Sequence, residues 1–240
     1  MENLLLQVYR RSSRRVYLNR PVAKEKVEVL KETIEKLNIE GGVSMVWIDD
    51  ASDAFSGFKK SRGLFKNVRS AVLLKGGKKD AHLFEKLGYY GECIALTATA
   101  MDLGSCFVGG TFDKNSDVFS LKKEERMALV LTIGETGDRK RLRERAIHYF
   151  IHRREKSVED LYLSYKTPPE WFLRGVKAAA KAPSAKGRQP AYFEYLSGEV
   201  RGFVSEKEWF DILDLGIAKY HFEIGAAGKF ELGNGGLFLR

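Results

Sequence analysis

Between Ala81 and Leu103 the apolar positions Leu83, Leu87, Tyr90, Ile94, Thr97 and Met101 advance by alternating steps of four and three. That spacing predicts one long helix. Small residues (Gly91, Ala95, Ala98, Ala100) fill much of the remaining surface. A helix that is apolar or small all round has no face to give to water, so it must be covered on several sides. The chain is therefore expected to build its other elements around this helix, which should stop at Gly104.

The neighbouring pattern mixes helices with short strands. Val27, Leu30, Ile34 and Leu37 give one helical face after Pro21, ended by Gly41-Gly42. Val43–Ile48, Ser70–Lys75 and Met127–Ile133 read as strands, the last two as buried ones. Residues 51–69 read as a long loop, and the charge-dense stretch 138–160 reads as a connecting helix. Pro168-Pro169 opens a helix over Glu170–Lys181, and Ala182–Pro190 is a loop. Strands follow at Ala191–Leu196 and Glu199–Val204, then a helix over Trp209–Ala227 with Leu213, Ile217, Tyr220 and Ile224 on one face. The pattern predicts an α+β fold.

Composition narrows the partners. The 41 basic residues outnumber the 32 acidic ones, for a net charge of +9. That balance favours an anionic ligand or surface. Two cysteines, Cys93 and Cys106, cannot form a disulfide framework, which points to a reducing, cytoplasmic setting. No apolar run approaches the about 18 residues of a membrane helix, so no membrane partner is expected. His148 and His152 have ligand-like spacing but lack a third ligand, His221 reads as a packed helical residue, and no metal is expected.

Two long helices end alike. Asp102-Leu103-Gly104 is followed by Val108-Gly109-Gly110, and Ala227-Gly228 by Leu232-Gly233, at the same offset. Arg10-Arg11 with Ser12 is echoed by Arg153-Arg154 with Ser157. Such echoes suggest duplication, although glycine-terminated helices also recur by chance.

Three segments carry candidate chemistry. Arg10-Arg11-Ser12-Ser13-Arg14-Arg15 concentrates guanidinium forks and hydroxyls, which suit phosphate oxygens; a solvated basic terminus or a nucleic-acid arm is the bland alternative. Val108-Gly109-Gly110, read as following a helix end, offers backbone donors that a ligand can approach closely; a plain cap and turn would look the same. Ala182–Pro190 is a loop of small and amide residues suited to a planar ligand, or else an ordinary helix-to-strand connection.

Taken together, the three segments resemble motifs of the nitroreductase family of FMN-dependent oxidoreductases. Arg10-Arg11-Ser12-Ser13-Arg14 is similar to its opening Arg-x-Ser-x-Arg motif, Asp102–Gly110 to its glycine loop, and Ala182-Pro183-Ser184-Ala185-Lys186-Gly187-Arg188-Gln189-Pro190 to its Ala-Pro-Ser-Ala-x-Asn-x-Gln-Pro-Trp loop. The Pro-Ser-Ala loop here follows the other two motifs, whereas in the family it precedes the glycine loop. The resemblance, closest to the thermophile-type subfamily, therefore implies two tandem nitroreductase-like units, 1–137 and 138–240, fused into an internal pseudo-dimer. A monomer mimicking the family homodimer is implied.

By that resemblance Arg10, Arg11, Ser12 and Arg14 would hold the FMN phosphate and ribityl chain, with Lys140 and Arg141 as further phosphate ligands. Val108, Gly109 and Gly110 would lie along the flavin ring. Pro183, Ser184, Ala185, Gly187 and Gln189 would line its edge. No catalytic side chain is required, because the cofactor carries the hydride chemistry. The implied activity is NAD(P)H-dependent reduction of a small-molecule acceptor, nitroaromatic or quinone-like, by ping-pong exchange. Gly187 and Ala191 stand where the family has asparagine and tryptophan. Two alternatives stay open: a flavin-binding protein with a degraded site and little turnover, and a basic nucleic-acid-binding protein. The basic runs lack interleaved aromatics, which argues against the second.

Overall fold

The computed structural model describes residues 2–57, 61–137 and 156–240. The chain divides into two compact units, each assembled from separated segments. One comprises Met1–Arg10, Phe84–Cys93 and His148–Arg240; the other comprises Arg11–Leu83 and Ile94–Ile147.

The second of these is built on a four-stranded antiparallel sheet. Its strands are β1 (Val46–Ile48), β2 (Ser70–Gly77), β3 (Leu103–Val108) and β4 (Glu125–Glu135), in the order β1-β2-β4-β3. β2 is buried on both faces and continues through Gly76-Gly77, where the sequence suggested an end. Helix α2 (Lys24–Gly41) buries Leu30 and Ile34 and ends at Gly42, whose left-handed φ of 62° returns its N–H to the Asn38 carbonyl. The Asn38 amide then accepts from the Met45 N–H at 2.8 Å and donates to the Met45 carbonyl at 2.9 Å, which sets the entry to β1.

Residues 51–69 are not wholly loop. Ser52–Phe55 forms a short helix, α3, whose Phe55 stacks on Phe112 at 5.8 Å between ring centres. Phe112 packs edge-on against Phe119, and these rings join Tyr17, Ala71, Leu73, Cys106 and Val130 in one core.

The long central helix is present as α4 (Leu83–Ala100). It ends four residues before Gly104, because Asp102 takes a left-handed φ of 60° and turns the chain straight into β3. Leu103–Val108 is thus a strand paired with β4, where the sequence suggested a helix end and loop. The apolar run of β4 supplies a partner that a reading of local periodicity does not see.

The other unit holds α1 (Glu2–Arg10), α5 (Glu170–Ala179) and α6 (Asp211–Ala226), with the Phe84–Cys93 stretch of α4. Its sheet pairs β5 (Tyr162–Ser164) parallel to β6 (Tyr192–Leu196), and β6 antiparallel to β7 (Glu199–Phe203). Ser197 and Gly198, with φ of 53° and 92°, form the two-residue turn between β6 and β7. A final hairpin joins β8 (Lys229–Phe230) to β9 (Phe238–Leu239). The core is aromatic: Phe172, Phe193, Phe222, Phe230 and Phe238 are all buried.

α6 is not a one-faced helix. Phe222 is fully buried while Tyr220 and Ile224 are half-buried, because α1, α5, β7 and β8 of the same unit cover it from different sides. It also meets the 84–93 stretch of α4 at glycines. A Cβ on Gly216 would come within 2.0 Å of the Glu85 carbonyl oxygen, and one on Gly88 within 2.0 Å of the Leu213 carbonyl oxygen.

The 138–160 segment lies outside the described residues up to 155, and with it Lys140, Arg141, His148, His152 and the Arg153-Arg154 echo; Glu159–Leu161 forms a single 3₁₀ turn. Among the described residues no helix is long and apolar enough to cross a membrane, and no group of His, Cys, Asp or Glu is arranged to hold a metal ion.

Candidate functional site

In the Arg11–Ile147 unit, the basic segment lies extended along the edge of the sheet. Ser13 pairs in parallel with Ser105 of β3, and the Arg14 N–H donates to the Ser105 carbonyl at 2.9 Å. Further on, Lys66 and Arg15 are joined by a backbone bond at 2.9 Å, and Tyr17 donates its hydroxyl to the Arg14 carbonyl at 2.7 Å. The segment is therefore fixed strand-like and is no free basic arm.

Arg11, Ser12 and Arg14 are half-buried. Gly104 makes room for Arg14, since a Cβ there would sit 2.8 Å from the Arg14 Cβ. The Arg14 guanidinium reaches the Gly137 carbonyl at 3.2 Å. Beside Ser13, the Ser105 hydroxyl is buried and has no hydrogen-bond partner among the described residues. Val108 is the last residue of β3 and is buried; Gly109 and the exposed Gly110 follow it, so this turn leaves a strand and not a helix.

Arg10 is counted with the other unit. It ends α1, is exposed, and donates to the Gln7 side-chain oxygen at 3.3 Å.

In that other unit, the Ala182–Pro190 loop is tightly self-bonded. The Ser184 hydroxyl accepts from the Gln189 N–H at 2.9 Å, and the Gly187 N–H donates to the Ser184 carbonyl at 3.0 Å. The Gln189 amide donates to the Ala180 carbonyl and accepts from the Lys156 N–H, so both its ends already have partners. Lys186, Gly187 and Gln189 adopt φ of 57°, 66° and 47°. Left-handed backbone at Gly187 gives a physical reason for glycine where the resembled loop has asparagine, since both residues tolerate that region.

A cavity of about 20 Å³ lies under this loop, lined among others by Pro183, Ser184, Gln189, Ala191 and Asp214. It has room for about one water molecule, so the loop alone encloses no ring-sized slot. Burial pushes the Asp214 carboxyl up to about 7 against the pull of the Ala185 N–H, and neighbouring Asp211 adds to the rise.

The same unit carries a buried polar ladder that the sequence reading missed. Glu85 pairs with Lys219, Tyr89 donates to Glu223 at 2.5 Å, and His221 Nε2 lies 2.8 Å from Glu92. His221 is fully buried and also contacts the Ala178 carbonyl, a packed residue as its helical setting suggested. Burial raises Glu223 to about 7, although the Phe230 N–H and the Tyr89 hydroxyl both favour its charged form. The legible signal was the spacing of Glu85, Tyr89 and Glu92, which repeats the step of four and three within an apolar helix.

The donor chemistry in the Arg11–Ile147 unit fits a phosphate. Two guanidiniums and a hydroxyl supply donors to a dianion, and parts of both guanidiniums are shielded from water. A family model described as "Putative TM nitroreductase" matches residues 3–226. The chain belongs to this family. The TM nitroreductase family is one of oxidoreductases, and its fold is found again among solved structures. A Thermotoga maritima protein described as a "putative nitroreductase", 18% identical, covers 98% of this chain and 92% of its own, with a TM-score of 0.64. An FMN-dependent nitroreductase from Clostridium difficile, also 18% identical, covers 59% of this chain and 90% of its own at a TM-score of 0.45. A Clostridium acetobutylicum protein described as "Putative NADH Oxidase" is 21% identical and covers 57% of this chain and 89% of its own at 0.44. No curated protein sequence matches the chain.

Proposed function

We propose that this TM nitroreductase family member is an FMN-dependent NAD(P)H oxidoreductase. Bound FMN would supply hydride acceptance from NADH or NADPH and hydride delivery to a nitroaromatic or quinone-like acceptor. The chain's own work is to bind and orient. Arg10, Arg11, Ser12 and Arg14 would hold the phosphate and ribityl chain, with Lys140 and Arg141 as further phosphate ligands. The backbone at Val108, Gly109 and Gly110, and the residues Pro183, Ser184, Ala185, Gly187 and Gln189, would contact the ring and ribityl chain.

The observation that carries the reading is the parallel seating of Ser13 beside Ser105. It lays the cationic segment along the strand that ends in the glycine turn. Ser105 and Gly109 are four positions apart, roughly 13 Å at the strand rise. A cationic end and a glycine end at that spacing suit an elongated ligand with an anionic terminus.

The tandem architecture, units 1–137 and 138–240 acting as a monomer in a reducing cytoplasm, belongs to the same proposal. Both long helices are followed, within two residues, by a left-handed residue on the way to a strand, Asp102 at 60° and Ala227 at 59°, which supports duplication. The reading is tested by the visible absorption spectrum of the purified protein, before and after FMN addition and desalting, and by NADH and NADPH oxidation with a nitroaromatic or quinone. Ping-pong kinetics and a one-chain elution volume are expected. A colourless protein that cannot be reconstituted overturns it.

The engagement of the Gln189 amide by Ala180 and Lys156 favours a second reading, flavin binding with little turnover. Retained flavin with no oxidation of either nucleotide would select it.

A further inference from the structure

Besides its bonds to Ala180 and Lys156, the Ala182–Pro190 loop is held by the first turn of α6. Both Asp214 carboxylate oxygens accept from the Ala185 N–H, at 2.9 and 3.2 Å. One helical turn earlier, Asp211 pairs with the Arg188 guanidinium and accepts from the Glu208 N–H at 3.0 Å. Phe210, at the mouth of α6, carries the Arg188 guanidinium 4.7 Å and the Lys186 ammonium 5.9 Å from its ring centre. Asp211 and Asp214 are buried. Lys186 and Gln189 hold left-handed backbone that non-glycine residues seldom adopt, so the loop depends on contacts outside itself.

We propose that Asp211 and Asp214 are positioning residues that hold the Ala182–Pro190 loop in its ligand-receiving shape. The charged groups around Asp214 are Asp211 on its own helix and Arg188 on the loop. The other residues around the cavity, from the turn at Leu161, from α5, from β6 and from α6, carry no titratable group. A charged acceptor at the Ala185 N–H makes a bond about twice as strong as a neutral one would. Only the identity of the ligand rests on the flavin reading; the clamp does not.

The test is amide hydrogen exchange across residues 182–190 in the full chain at pH 8, each variant compared with the wild type, beside an FMN titration. Asp214→Asn, which keeps a neutral acceptor, should speed loop exchange roughly fivefold, the difference between a charge-assisted and a neutral bond. Asp214→Ala, with no acceptor, should speed it further, so that Asn rescues part of the loss. Asp211→Asn, and Arg188→Gln from the more exposed side of the same pair, should loosen the loop as well. FMN affinity should fall severalfold in the variants in the same order. Loop exchange unchanged in all four variants overturns the clamp. Loop exchange that responds as described in a chain that binds no FMN supports the clamp and overturns the flavin reading alone.

Discussion

Lys219 of α6 and Glu85 of α4 form an ion pair in which each side chain is only 2% exposed. The pair is fully dressed. Lys219 also donates to the Glu231 and Gly233 carbonyls, at 2.9 and 2.8 Å, and Glu85 accepts from the Gly233 N–H at 2.6 Å. It therefore seats the glycine-rich tail on two helices of its own unit. Lys219→Met would strand a buried carboxylate and two backbone carbonyls. A loss of about 3–5 kcal/mol is expected in urea unfolding, the usual cost of breaking a buried pair from one side. Removing Glu85 as well, as Glu85→Leu/Lys219→Met, should recover part of it. A single variant as stable as the wild type would contradict the account.

The two glycines where α6 meets the 84–93 stretch make a second prediction. A methyl group at Gly216 would fall 2.0 Å from a backbone oxygen that no rotamer change can move. Gly216→Ala should therefore cost at least about 3 kcal/mol, at the upper end of overpacking penalties. Gly198→Ala makes the control. It meets no atom within 4 Å, so its cost should come from its φ of 92° alone and be smaller. Chemical denaturation of the two variants side by side decides.

What the sequence made legible follows from range. α2, α4, α5 and the β6–β7 hairpin were readable because the periodicity, prolines and glycines that make them are local. β3 was not, since Leu103–Val108 becomes a strand only by pairing with β4, some 25 residues later. The Arg10–Arg14, Val108–Gly110 and Pro183–Gln189 segments were visible as motifs, and family membership followed from them. The acids that hold the last of these were not. Asp211 and Asp214 look like ordinary first-turn acids, and only the fold brings the Ala185 N–H and Arg188 to them. The polar ladder of Glu85, Tyr89 and Glu92 was masked because an all-round apolar helix draws attention to its apolar positions.

Glu223 gives a pH prediction. Burial raises its folded pKa to about 7 from an ordinary 4.5. A raised acid pKa means that the folded state binds the proton more tightly than the unfolded one. The contribution is full below about 4.5 and is lost as pH rises through about 7. A displacement of that size corresponds to roughly 3 kcal/mol. Glu223→Gln removes the titration, so its stability relative to the wild type should improve by about that amount between pH 4 and pH 8. A difference that stays flat with pH would show that Glu223 titrates normally.

The flavin reading is put at risk most directly at Arg14. Its backbone is fixed to β3 through the Ser105 carbonyl and its guanidinium is partly shielded, so a substitution changes charge without releasing the strand. Arg14→Gln should lower FMN affinity by tenfold or more, on the order of 1.5–3 kcal/mol for a charged hydrogen bond, and should leave riboflavin affinity nearly unchanged, because riboflavin has no phosphate. Fluorescence quenching titrations of both ligands separate the two effects. Equal losses for FMN and riboflavin would mean that Arg14 shapes the site without meeting the phosphate. No loss for either would remove the basic segment from the flavin site and leave its charge without the role assigned to it.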